Sequence, residues 1–296
     1  MVALIERARA GPWRYPRRVE RPDPRIAHRE VFRSGVTALD AVAVEEPLEI
    51  RVDGERVATT MRTPGADADL ALGFLFGEGI VAGRSDVASV AHCGRPGDEG
   101  YGNVVDVVSA AGMRLDPERL LDGHRVAPIS SACGVCGRRS IEELAARIRP
   151  VDAARRVASQ LLLTAIEAIS RSQPAFSRTG GLHAAVLLGD DGALLAAAED
   201  VGRHNAVDKV VGALLRAGGL GVDAPPAAGP AVLAVSGRTG FEIVQKAATA
   251  RIPAIASISA PTSLAVDLAT SAGLVLAGFV RGSAMNVYAH PERLIV

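Results

Sequence analysis

The chain has 296 residues, and its 33 lysine and arginine residues balance its 33 aspartate and glutamate residues. This length suits one large domain or two ordinary ones, and the balanced charge excludes a strong global attraction to nucleic acid or to a membrane surface. Aromatic residues make up only 3% of the chain, which leaves few stacking platforms for single-stranded nucleic acid.

The apolar runs are well short of the roughly 18 residues that a membrane span needs, and the first residues lack the apolar core of a secretion signal. Three cysteines are an odd number, which is poorly suited to a framework of disulfides. These features predict a soluble, cytoplasmic protein.

The N-terminal part of the chain divides into two predicted units. Residues 1–30 are rich in arginine and proline, so we expect a flexible or surface-laid basic arm. Residues 31–125 show the pattern of a small α+β domain. Its predicted elements are a hairpin, a helix and two further strands, at 48–61, 68–76, 87–93 and 104–109.

A Cys-x-x-Cys segment lies in the next predicted unit, a loop and linking helix over 126–150. Cys133 and Cys136 are separated by two residues, and glycine flanks Cys136 on both sides. This spacing lets two thiols act on each other, and a nearby helix N-terminus beginning at Ser140 would favour thiolate. Cys93, in a separate segment, is predicted to be structural.

Helices and strands alternate along residues 151–296, which predicts a C-terminal α/β domain built as a layered sandwich. The two lysines of the chain, Lys209 and Lys246, both fit exposed positions on predicted helices. The predicted elements are helices at 157–169, 206–216, 240–250 and 261–271, and strands at 182–188, 193–197, 231–235, 254–258 and 274–277.

Polar clusters follow several of these strands, where ligand crevices open in α/β sheets. Ser236 and Arg238 lie in a strand-to-helix loop that could hold an anionic group or be an ordinary connection. Arg203 and His204 lie within a dense polar stretch, Glu199–Lys209. This pattern is typical either of a binding site or of a helix cap with a surface salt bridge.

Two further stretches have open interpretations. His183 follows twin glycines and begins an apolar strand, so a binding residue and a satisfied core histidine are both possible. The segment Gly278–Asn286 offers Arg281, Ser283 and Asn286 as donors, with Phe279 as an apolar wall. It suits a polar heterocycle carrying phosphate, although a surface turn would show the same pattern.

Together these motifs resemble those of the formate dehydrogenase accessory sulfurtransferase family, FdhD. The resemblance covers roughly residues 35–295. The matching stretches are Ser131–Gly137, Thr179–Ala185, Glu199–Lys209, Ser236–Arg238, Phe279–Ala284 through Asn286, and a helical motif at Asp69–Leu75 with Glu78–Ile80.

The resemblance implies a sulfurtransferase that carries sulfur on cysteine. A cysteine desulfurase would load Cys133 as a persulfide, Cys136 would assist, and the sulfur would pass to a molybdenum bis(pterin guanine dinucleotide) cofactor that serves formate dehydrogenase. It also implies a homodimer and a three-layer α/β/α C-terminal sandwich resembling cytidine deaminase. No resident metal is implied.

Some of the residues expected to contact this cofactor are implied by the family resemblance, and others by the residue types themselves. A guanine nucleotide is expected to fit the same site. The resemblance supplies Phe279, Val280, Arg281, Gly282, Ser283 and Ala284. The residues themselves add Asn286, Arg203, His204, Ser236 and Arg238.

Three alternative functions remain open on the sequence. A zinc nucleobase deaminase would need His-x-Glu followed by Pro-Cys-x-x-Cys, whereas Ala185 and Ala132 occupy the glutamate and proline positions here. A thiol-disulfide oxidoreductase would use the same cysteine spacing. A non-catalytic chaperone would bind the molybdenum cofactor without carrying sulfur.

Overall fold

The computed structural model describes residues 23–95, 97–98, 101–113, 115, 150–152, 154–221 and 229–295. The predicted linking unit, with Cys133, Cys136 and Ser140, lies outside these residues apart from Pro150. No helix in the described part of the chain is long and apolar enough to cross a membrane.

The N-terminal part forms a hairpin and a four-stranded sheet with one helix. Strands β1 (Ile26–Arg33) and β2 (Val36–Ala43) pair with each other as a separate two-stranded sheet, and the four-stranded sheet has the order β4–β3–β6–β5. Its elements are β3 (Glu46–Val52), β4 (Glu55–Arg62), α1 (Asp67–Gly77), β5 (Val87–His92) and β6 (Val104–Ser109). The predicted hairpin, helix and strands of this region are confirmed.

Strand β1 begins within the last residues of the predicted arm. Its first residue, Ile26, is buried against Ala175 and Leu182, and Arg25 pairs with Glu199 at 2.9 Å. The arginine and proline content of residues 1–30 gave no indication of these contacts. Ala27 is also buried, and Ala41 and Ala43 pack partly buried against the same cluster. The tip of the hairpin is exposed, and Phe32 and Leu39 are 78% and 73% exposed.

The C-terminal part is built around a six-stranded sheet with the order β13–β12–β11–β10–β8–β9. Two short strands pair separately. The elements are β7 (Val157–Ala158), α2 (Ser159–Arg171), α3 (Phe176–Thr179), β8 (His183–Leu188), β9 (Leu194–Asp200), α4 (Arg203–Arg216), β10 (Val232–Val235), α5 (Phe241–Thr249), β11 (Ala254–Ser257), α6 (Ser263–Ala272), β12 (Val275–Arg281), β13 (Ala284–Ala289) and β14 (Leu294–Ile295).

Helices cover both faces of this sheet, which confirms the predicted three-layer α/β/α order. Alternate strand residues point to opposite faces. Val186 and Ala234 pack in one apolar cluster with α2, whereas Leu187 and Leu233 pack in another with α4, α5 and α6. The predicted likeness to cytidine deaminase stays a prediction.

The N-terminal sheet and the C-terminal helices share one apolar core, because Leu48 and Ile50 belong to the same cluster as the side chains of α4 and α5.

Helix α1 crosses α4 where both helices carry glycine. A Cβ atom on Gly73 would lie 1.9 Å from the backbone oxygen of Asp208, and one on Gly212 would lie 1.8 Å from that of Asp69. Only glycine allows backbones this close.

Candidate functional site

One edge of the six-stranded sheet collects most of the predicted site residues. Strands β10, β11 and β12 run parallel, so their carboxyl ends lie together at this edge. Strands β8 and β13 run antiparallel to their neighbours and begin there, while β9 ends there. Ligands of α/β sheets bind at such an edge, which makes it the candidate site.

The structure places the predicted cofactor residues along this edge in two groups. Strands β8 and β12 are three positions apart in the sheet, a distance of about 14 Å at normal strand spacing. The β8 group contains Arg203, His204, Ser236 and Arg238; the β12 group contains Phe279, Val280, Arg281, Gly282, Ser283, Ala284 and Asn286. The catalytic candidates Cys133 and Cys136 lie outside the described residues.

Arg203 and His183 meet at Gly237 in the first group. A Cβ atom on Gly237 would lie 3.1 Å from Nδ1 of His183 and 3.7 Å from Cδ of Arg203, so the missing side chain leaves room for both. The Nε atom of Arg203 is buried and has no hydrogen-bond partner among the described residues. A buried donor without a partner is costly, which points to a ligand that accepts from it.

The loop between β10 and α5 is anchored by hydrogen bonds to its neighbours. The backbone N–H of Ala184 donates to Oγ of Ser236 at 2.9 Å, and Ser257 Oγ donates to the carbonyl of Gly237 at 2.7 Å. Arg238 is exposed. Thr239 is fully buried, and its Oγ1 lacks a partner among the described residues. The loop is therefore fixed in place while keeping free polar groups.

The β12–β13 hairpin forms the second group, for which the sequence suggested a site for a polar heterocycle carrying phosphate, with a surface turn as the alternative. A register shift between Gly278 and Arg281 interrupts the strand pairing, and Phe279 adopts a φ of 52°. Such a backbone is strained for a bulky residue and is typical of functional positions. Phe279 is exposed, whereas Val280 is fully buried in the core and presents no accessible surface to a ligand.

The turn of this hairpin, at residues 281–284, is open to solvent. Its polar tip, with Arg281, Ser283 and Asn286, is exposed. Gly278 brings the ring of Tyr288 close, because a Cβ atom there would lie 3.1 Å from Cε2 of Tyr288. The hairpin thus offers a guanidinium group and two aromatic side chains at one end of the edge.

His204 contacts the carboxylate of Glu242, a residue that was not predicted to belong to the site. Its Nδ1 lies 3.1 Å from Oε2 of Glu242, and both side chains are largely buried. Each residue lies in the first turn of its helix, α4 or α5. An acidic residue is common near a helix N-terminus, but only the packing of the two helices reveals this pair.

The remaining residues of the Glu199–Lys209 stretch hold the fold together. Lys209 pairs with Asp200 at 2.7 Å and donates to the carbonyl of Thr63 at 2.8 Å. Lys246 pairs with Asp208 at 2.7 Å. The expectation that both lysines are exposed is wrong, since they are 2% and 3% exposed. Burial raises the pKa of Asp208 to about 7 even beside Lys246.

The sequence did not decide whether His183 is a binding residue or a core histidine. It also did not indicate that Thr239, Glu242 and Tyr288 lie at the site. A position directly after a strand could have indicated Thr239, but nothing in the pattern marked the other two. The described residues hold no group of three or more His, Cys, Asp or Glu side chains placed to bind a metal ion.

Sequence and structure comparisons identify the family. Residues 43–295 match the FdhD/NarQ family, so the chain belongs to it. It is 68% identical to a protein of Anaeromyxobacter dehalogenans strain 2CP-1 named sulfur carrier protein FdhD, over 94% of this chain and 96% of that one. A protein of Mycobacterium bovis with the same name is 45% identical, over 90% and 98% of the two chains.

A solved structure supports the same assignment. A crystal structure from Desulfotalea psychrophila, assigned as a formate dehydrogenase accessory protein, matches with a TM-score of 0.68 and 25% identity. The match covers 91% of this chain and 98% of that one. The family membership predicted from the motifs is confirmed.

Proposed function

We propose that this protein is a sulfur carrier that takes up sulfur as a persulfide on Cys133 and passes it to the molybdenum cofactor of formate dehydrogenase. The observation that carries the proposal is membership of the FdhD/NarQ family, with relatives named sulfur carrier protein at 68% identity over nearly the whole chain. The Cys133 and Cys136 pair supplies the two thiols that such a carrier needs.

The first step is a sulfur exchange with a cysteine desulfurase, the proposed donor. The thiolate of Cys133 attacks the terminal sulfur of the donor persulfide, which releases the donor thiolate and leaves a persulfide on Cys133. In the release step the thiolate of Cys136 attacks the inner sulfur atom. A disulfide between Cys133 and Cys136 forms, and the outer sulfur leaves as hydrosulfide for the acceptor.

The proposed acceptor is the molybdenum bis(pterin guanine dinucleotide) cofactor, bound as substrate along the sheet edge. Three features support this placement. The edge offers about 14 Å between its two groups, enough for a large ligand. The buried Nε atom of Arg203 has no hydrogen-bond partner within the described ranges. Arg238 and Arg281 are exposed, and guanidinium groups suit phosphate.

Mass spectrometry of sulfur loading tests the carrier proposal. After incubation with a cysteine desulfurase and cysteine, wild-type protein should gain one sulfur atom on Cys133, and Cys133→Ala should not. Cys93→Ala is the matched control, because Cys93 is a free, partly buried thiol in a different segment. An adduct absent from wild-type protein, or located on Cys93, would contradict the proposal.

A second experiment separates sulfur carriage from cofactor binding alone. Activation of a client formate dehydrogenase should require Cys133. If Cys133→Ala activates the client as well as wild-type protein does, a non-catalytic chaperone becomes the better assignment.

For the acceptor site, Arg281→Ala should weaken binding of a guanine nucleotide. The homodimer implied by the resemblance remains part of the proposal, and light scattering of purified protein tests it.

A further inference from the structure

The side chain of His183 lies at the candidate site, and no hydrogen bond within the described residues accounts for its position. It opens strand β8 at the sheet edge, and its ring is partly exposed. Neither ring nitrogen hydrogen-bonds to another described residue. A histidine that stabilises a core would have satisfied ring nitrogens. In the described part of the chain, both ring nitrogens of His183 are available to a ligand.

The groups facing His183 make its surroundings positive. Arg203 of α4 lies against the same glycine, Gly237, and has a buried Nε atom without a partner in the described structure. Asp200 of β9 is the nearby carboxylate, but it is held by Lys209 at 2.7 Å. Arg238 of the neighbouring loop is exposed. Burial, followed by the charge of Arg203, lowers the pKa of His183 from its usual 6.5.

We propose that His183 and Arg203 together hold one phosphate group of the bound ligand, and that His183 takes up a proton as this group binds. An oxyanion accepts from Arg203 and from one N–H group of the histidine ring, and the bond is stronger when the ring is protonated. Its negative charge also offsets the positive charge of Arg203, which otherwise keeps the ring neutral. This inference rests on the proposed function for the identity of the ligand.

Proton uptake sets the direction of the pH dependence. Free His183 is neutral near pH 7, and a bound anion raises its pKa, so the bound state holds more protons between the two pKa values. Affinity should therefore fall as pH rises through this window, by at most about tenfold per pH unit for one proton. Below the pKa of the free protein, His183 is already charged and the dependence should vanish.

The probe must not itself titrate in this window. Guanosine diphosphate mannose meets this condition, because its pyrophosphate is esterified at both ends and carries no proton near neutral pH. Isothermal titration calorimetry from about pH 5.5 to pH 8, in buffers of different ionisation enthalpy, measures affinity and proton uptake together. Guanosine, which has no phosphate, separates recognition of the base from recognition of the anion.

The decisive variant is His183→Gln, which keeps a neutral hydrogen-bonding side chain but cannot gain charge. We expect it to lose proton uptake and to bind the probe with an affinity independent of pH, close to that of wild-type protein at the alkaline end. The matched control is His28→Gln, because His28 is exposed on strand β1. It should retain the wild-type pH dependence.

Several results would overturn the inference. These are wild-type binding without proton uptake, an unchanged pH dependence in His183→Gln, the same pH dependence with guanosine, and no binding of the probe at all. Sulfur loading of wild-type Cys133 is measured separately. Protein that loads sulfur but gives any of these results refutes the role of His183 and leaves the carrier function standing.

Discussion

Replacing Gly73 with alanine should separate the two helices that join the N-terminal part of the chain to the sheet. The new Cβ atom would lie 1.9 Å from the backbone oxygen of Asp208, which must retreat by about 1.5 Å to reach the 3.4 Å at which ordinary contact begins. The obstacle is backbone, so no side chain can rotate away. The side-chain carboxylate of Asp208 is also held in place by its ion pair with Lys246.

The expected magnitude follows from two opposing effects. Overpacking of this kind costs about 3 kcal/mol, and alanine gains about 1 kcal/mol over glycine inside a helix. A net loss of about 2 kcal/mol in the free energy of unfolding is therefore expected. Urea denaturation followed by circular dichroism measures it.

Gly77→Ala is the matched control in the same helix. Its Cβ atom would meet only the side chain of Lys246, at 3.4 Å, which is ordinary contact. This variant should be as stable as wild-type protein or slightly more so. If Gly73→Ala is as stable as wild-type protein, helices α1 and α4 do not cross as closely as described.

Three other predictions concern the site, the core and the surface. Gly237→Ala should weaken binding of guanosine diphosphate mannose several-fold in calorimetry, because its Cβ atom would press on His183 at 3.1 Å. Lys246→Met should cost about 3–5 kcal/mol by leaving Asp208 buried without its partner. Asp208 has a pKa of about 7 beside Lys246, and losing that cation raises the pKa further, so the variant carboxyl stays protonated to higher pH and the loss in urea unfolding should grow as pH rises above about 7. Phe32→Ser should change the melting temperature of the monomer little, because Phe32 is 78% exposed at the tip of the hairpin; a large loss would show that the tip also packs against the body.

The order of helices and strands was predictable because it depends on local periodicity. Leu48, Ile50 and Val52 alternate along one strand, and all three are buried. The gathering of site residues at one edge was also predictable, since parallel strands share their carboxyl ends. Strand β13 was missed because the backbone at Phe279 breaks the alternation just before it.

The ion pairs could not be predicted, because a position on a helix does not reveal which neighbour covers it. Lys209 meets Asp200 from a strand nine residues earlier, and Lys246 meets Asp208 from another helix. Both lysines therefore resemble exposed residues in the sequence. The same limit applies to Glu242, whose partner His204 comes from a different helix.

The concealment of both lysines has a practical consequence. Lys209 and Lys246 are the chain's entire supply of side-chain amines, and the folded protein covers both. Acylating reagents should leave these two amines unmodified in native protein and react with them only when the interior opens. The extent of acylation then reports how often the whole molecule unfolds, without any engineered label.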